Sequence, residues 1–189
     1  NGGLHRLDAE GNIERFMPVA GDPRSLPSPS ITWLQLDKAG RLWIGTYHGI
    51  ARWSGHDFER MMQDIRPSAS VNGLVFDRAG DLWIGLSSSA WVHRAKTGII
   101  EPVPWHDPVT HQPALSMLVE DSQGGHWLDT RSGLALERNG QVFDVPLYSN
   151  TSRGLVRPGW SAALEDREGG LWFASTDTGL WHLPANWRN

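Results

Sequence analysis

The sequence predicts an all-β chain made of a four-strand unit used again and again. Three observations carry this. First, a phrase recurs four times: Asp37-Lys-Ala-Gly-Arg-Leu-Trp43, Asp77-Arg-Ala-Gly-Asp-Leu-Trp83, Asp121-Ser-Gln-Gly-Gly-His-Trp127 and Asp166-Arg-Glu-Gly-Gly-Leu-Trp172. The Asp-to-Trp distance is six residues each time, and the Trp-to-Trp steps are 40, 44 and 45. Second, the 21 Gly and 12 Pro punctuate the chain at strand-like intervals. Third, no stretch of ten to twelve residues shows helical apolar spacing free of Gly or Pro, which sets aside the helical repeats of similar period.

The first full unit can be read in order. Ile31 to Leu36 alternates large and polar side chains, as a strand does. Asp37 to Gly40 is turn chemistry, with an Asp that can bond backbone just ahead of it and a Gly suited to positive φ. Leu42 to Thr46 is a second strand, and Tyr47-His48-Gly49 turns the chain. Ile50 to Trp53 is a third strand, Ser54 to Asp57 a tight turn, and Phe58 to Met61 a fourth. Four short strands joined by tight turns at this period describe one blade of a β-propeller. Asp37, Trp43, Asp77, Trp83, Asp121, Trp127, Asp166 and Trp172 are therefore read as structural, the aromatic filling the wedge between blades.

The same reading divides the chain into a partial blade over 1–19, blades over about 20–62, 63–103 and 104–147, and a partial blade over 148–189. That makes seventeen strands, or about four blades. Both ends fall inside a repeat. The expectation is an excerpt of a larger ring, of about seven blades, rather than a small ring closed by its own termini.

Composition narrows the function classes. Hydrophobic residues make up 39% and charged residues 20%, the mix of a globular chain. The net charge is −4 with both signs interspersed, so no basic stripe points to nucleic acid. There is no Cys, which removes thiolate metal sites and Cys nucleophiles. No nucleophile elbow, phosphate loop or metal frame appears, so no catalytic residue, metal or cofactor is assigned.

The run Asp37 to Ile50, Asp-x-x-Gly-x-Leu-Trp-Ile-Gly-Thr-x-x-Gly-Ile, resembles the two-component regulator propeller repeat, with Leu26 to Ile31 leading into its first strand. The later copies depart from it: Asp129 and Ala174 stand where the pattern has Gly, Phe173 replaces Ile, and Ser87 to Ala90 replaces a turn glycine. The resemblance implies a periplasmic propeller of a bacterial inner-membrane sensor, followed by a membrane helix and an output module. That output is a histidine kinase in most relatives and a diguanylate cyclase in others. Membrane contact and any homodimer would run through parts of the protein outside this segment.

Ligand chemistry is expected on the connections that differ between repeats: 20–30, 63–72, 101–116 and 148–159. Their candidate ligand residues are Arg24, Arg66, Trp105, His106, His111, Arg153 and Arg157, suited to a small polar or anionic molecule, with a glycan as one such partner. His106, Asp107 and His111 match no metal-ligand spacing. Asp129, if buried, needs a partner, and Arg131 or His126 is expected to serve. Two further classes stay open, a propeller enzyme (a lyase or hydrolase) and a protein-interaction scaffold.

Overall fold

The computed structural model describes residues 2–63, 69–151 and 154–187. The chain divides into two compact units, 1–74 and 75–189. In the first unit β1 (Leu4–Leu7) pairs with β2 (Ile13–Phe16). Four strands then form one sheet in sequence order: β3 (Ile31–Leu36), β4 (Leu42–Thr46), β5 (Gly49–Trp53) and β6 (Phe58–Met61).

The division falls within β7 (Val71–Phe76), which continues into a sheet with β8 (Leu82–Leu86), β9 (Ala90–His93) and β10 (Ile100–Pro102). The next sheet is β11 (Ser116–Glu120), β12 (His126–Thr130), β13 (Gly133–Arg138) and β14 (Gln141–Asp144). A hairpin follows, β15 (Ser149–Thr151) and β16 (Gly154–Val156), and then a three-stranded sheet of β17 (Trp160–Glu165), β18 (Leu171–Ser175) and β19 (Gly179–Leu183). Among the described residues there are thus nineteen strands rather than seventeen. The extra pair is the β15–β16 hairpin, within the 148–159 segment that differs between repeats and is expected to be a connection.

The recurring Asp-x-x-Gly phrase closes the turn between the first and second strands of each sheet. In the first copy the Gly40 amide donates to the Asp37 carbonyl at 2.9 Å, and Gly40 has φ of 77°. The equivalent Gly80, Gly124 and Gly169 also have positive φ, which a side chain would strain. Asp37 Oδ1 accepts the amides of Ala39 and Arg41, both at 2.9 Å. Its other oxygen accepts the indole N–H of Trp43 at 3.2 Å.

The same indole bond recurs from Trp83 to Asp77 at 2.8 Å, Trp127 to Asp121 at 3.0 Å and Trp172 to Asp166 at 2.7 Å. The constant six-residue spacing is therefore the reach of one hydrogen bond. A buried indole needs an acceptor, and the turn carboxylate supplies it.

Apolar residues of adjacent sheets interlock within the second unit. Trp83 and Val92 pack with Met117, Leu128 and Ala135. Trp127, Leu134 and Leu136 pack with Trp160, Leu171 and Phe173. Trp127 and Phe173 are fully buried, each side chain contributing about 2–3 kcal/mol of apolar burial.

A polar clasp repeats across the same joints. Glu120 accepts the Arg78 amide at 2.6 Å, and Glu165 accepts the Ser122 amide at 2.5 Å. Each Glu stands one place before a motif Asp and bonds the main chain just after the preceding one.

In the first unit, Arg60 on β6 plays the corresponding part for the 22–26 segment. Its guanidinium donates to the carbonyls of Asp22, Ser25 and Leu26 at 2.9–3.1 Å. Leu26 is thereby held in a core with Phe58, near the rings of Phe16 and Trp53.

Candidate functional site

The predicted ligand residues fall into two groups. Arg24 lies in the first unit, on the segment that Arg60 fastens. Its guanidinium is exposed, with Nε 4.0 Å from Asp22, too far for a hydrogen bond. Arg24, Asp22, His56, Phe16, Met17 and Val19 border an open hollow of about 560 Å³. Its lining mixes both signs of charge with apolar surface.

Ser54, His56 and Asp57 share the turn beside this hollow, a residue trio associated with hydrolysis. The geometry does not support that chemistry. The Ser54 hydroxyl donates straight to the Asp57 carboxylate at 2.5 Å, while His56 Nδ1 lies 3.4 Å away. A relay needs the imidazole, not the carboxylate, to receive the hydroxyl proton.

The second group surrounds the turn between β12 and β13. Trp105 stacks on the motif residue Trp83, with centroids 4.6 Å apart and planes 9° from parallel, and meets the tilted His126 ring at 4.9 Å. One ring face of Trp105 is therefore spent in the core. His106 is exposed, with Nδ1 2.9 Å from the Pro104 carbonyl. His111 is exposed and holds a left-handed backbone, φ 57°.

Between the two histidines, Asp107 is fully buried and saturated. It accepts the amides of Val109 and Thr110, and the amide and hydroxyl of Ser132 at 2.8 and 2.7 Å. Burial alone would raise its pKa, but the Ser132 hydroxyl and these amides outweigh that and hold the carboxyl well below the usual range. In sequence Asp107 stands with Trp105, His106 and His111 among polar groups suited to a ligand, but its carboxylate is spent inside the fold. It is the pin that fixes the 104–113 loop to the β12–β13 turn.

Arg157 joins the same cluster. It pairs with Asp144 through two nitrogens at 2.5 and 2.8 Å, donates to the Ser132 carbonyl at 2.9 Å, and lies 5.0 Å over the Tyr148 ring. Bonds to Asp144 and Tyr148 raise its pKa further. Its donors are largely occupied within the fold. Arg66 and Arg153 lie outside the described residues. Among the described residues, no three His, Asp or Glu side chains gather as a metal site.

Asp129 departs from expectation. Neither Arg131 nor His126 is its partner, because His126 Nδ1 lies 2.6 Å from Glu137 on the neighbouring strand and Arg131 is exposed. The Asp129 carboxylate instead accepts the Trp160 amide, at 3.4 Å.

Residues 25–48 match the family model for the two-component regulator propeller. No curated protein sequence matches the chain. Among solved structures, the extracellular domain of BT4673 from B. thetaiotaomicron is similar over 96% of this chain and 24% of its own, at 22% identity and a TM-score of 0.74. BT4673 is described both as a hybrid two-component system and as a one-component system.

The extracellular domain of BT3049 from the same organism, described as a hybrid two-component system, is similar over 98% of this chain and 25% of its own, at 18% identity and a TM-score of 0.73. Virginiamycin B lyase from Staphylococcus aureus is similar over 95% and 62%, at 13% identity and a TM-score of 0.60. No helix among the described residues is long and apolar enough to cross a membrane. The chain is a β-propeller segment that carries a two-component regulator propeller repeat at residues 25–48 and spans about a quarter of the extracellular domains it resembles in fold.

Proposed function

We propose that the chain is a ligand-sensing segment of a bacterial membrane receptor, standing on the periplasmic side of the inner membrane, with a histidine kinase as the receptor's output. The observation that carries this reading is the repeat match at residues 25–48 on a fold shared with extracellular domains of two-component systems. The segment itself does no chemistry. It offers a scaffold on which a small polar molecule, a glycan fragment foremost, would meet the exposed groups His106 and His111, with Arg24 a separate exposed contact in the first unit. Binding changes the output only through unequal affinity for two arrangements of the receptor.

A second reading is favoured by one observation, the fold likeness to a lyase. In that case His or carboxylate groups would work on a bound substrate. The experiment that separates the two is to read the coding sequence on both sides of this segment. Further Asp-x-x-Gly-x-Leu-Trp copies, a membrane helix and a kinase domain support the receptor. A diguanylate cyclase there would keep the sensor and change its output. A reading frame that stops soon after Asn189 overturns the receptor and brings the lyase and scaffold readings forward.

A further inference from the structure

One partly buried carboxylate is used by none of this. Asp129 sits on β12 at the place held by Gly85 on β8. The glycine is there for room: a Cβ at Gly85 would fall 2.5 Å from the Ser116 Cβ and 3.1 Å from the Leu115 carbonyl. The next repeat puts a carboxylate into the equivalent joint, facing β17. Its hydrogen bond is long, 3.4 Å from the Trp160 amide. Among the described residues it has no ion pair.

The charged groups at this end of the two sheets are committed or exposed. Asp107 is saturated by Ser132 and its own loop, Arg157 is bound to Asp144, and Arg131 is exposed. From the strands beside Asp129, Ser116 and Leu134 stand opposite it, and neither titrates.

We propose that Asp129 is a pH-sensitive joint between the β11–β14 sheet and the β17–β19 sheet: the neutral carboxyl lets the two close, and its ionisation loosens them. Burial pushes this carboxyl up to about 7, partly offset by the Trp160 amide. The joint also adjoins the loop cluster. Ser132, three residues on, is held by Asp107 from one side and Arg157 from the other, and Arg157 is three residues from Trp160. Loosening there would be felt at the pinned 104–113 loop. A periplasmic segment meets the outside pH directly, so the device would let acidity tune the same face that the proposed function assigns to ligand.

The sign follows from linkage. The closed joint holds a proton more firmly than the open one, so closure is strongest at low pH and is lost as pH rises towards 7. The test is hydrogen exchange by mass spectrometry on the full-length protein, reading peptides over β12 and β17 after correction for intrinsic rates. The corrected opening of these peptides should rise by up to about tenfold per pH unit between pH 5 and 7, then level off.

Asp129→Asn should abolish that rise. Asp129→Gly, which restores the residue of the preceding repeat, should do the same if the amide variant folds poorly. A flat wild-type profile, or an unchanged rise in either variant, overturns the proposal. Neither outcome depends on the output domain or on a ligand, so failure here is distinct from failure of the receptor reading.

Discussion

The two ends of the β11–β14 sheet are built by different rules. At the end of the β11–β12 turn, Asp121, Gly124 and Trp127 repeat a constellation found three more times in the chain. At the other end, around the β12–β13 turn, Asp107, Ser132, Arg157, Asp144 and Tyr148 form a network outside the recurring motif. The repeated constellation itself is closed by bonds within six residues. The other end depends on bonds 9 to 25 residues long in sequence. Bonds made by the repeat's own motif are copied with it, whereas the Asp107, Ser132, Arg157 and Asp144 network is composed from loops that vary, and that is the end free to specialise.

The comparison can be broken most severely at the repeated end. Trp127→Ala removes a fully buried ring that touches Phe173 and Trp187, and should cost about 3–5 kcal/mol in denaturant unfolding. Asp121→Ala keeps the ring but orphans its indole and the amides of Gln123 and Gly125, and removes the ion-pair partner of Arg138. We expect a loss of about 3 kcal/mol. Asp166→Ala makes the same deletion in the more exposed copy and should lose distinctly less. Equal losses would mean that burial does not set the strength of the motif.

At the other end, Asp107→Asn keeps the shape of the pin but weakens its hold, at about 1–2 kcal/mol. Limited proteolysis should then cut within 104–113 before anything else. Acid sharpens the contrast by acting on both ends at once. Asp166 is held low by the Trp172 indole, while in Asp37 and Asp107 burial raises the pKa and hydrogen bonds lower it further. Carboxylates with depressed pKa values contribute stability above about pH 4, and it is lost as pH falls below that, which a melting series across pH 2–5 would display. The smallest effect is expected for Glu165→Gln, about 0.5 kcal/mol, since the amide oxygen can still accept from the Ser122 main chain.

The same division explains what could be read from the chain. Strand positions such as Ile31–Leu36 and Phe58–Met61, and the Asp-x-x-Gly turns, were legible because alternation and turn chemistry are local. The six-residue spacing is legible as a repeat, but its cause is not: Trp43 and its equivalents read as wedge fillers, and only the folded turn brings the indole to its carboxylate. The loop end was poorly legible. Nothing near Arg157 announces that Asp144 and Tyr148 will occupy it, and nothing near Asp107 announces Ser132. A departure from pattern was the one usable signal there. Asp129 stands out against Gly45 and Gly85, although the partner it meets, a main-chain amide thirty-one residues away, leaves no trace in side-chain identity.

The Glu120 and Glu165 clasps have a consequence for how such a chain grows. Each is a carboxylate on the later repeat gripping main chain on the earlier one, so the earlier repeat need supply only an amide, which every residue but proline has. A gene segment copied and placed after any other would arrive with its fastener already attached. Lengthening the array would then require no matching change in the neighbour that receives it.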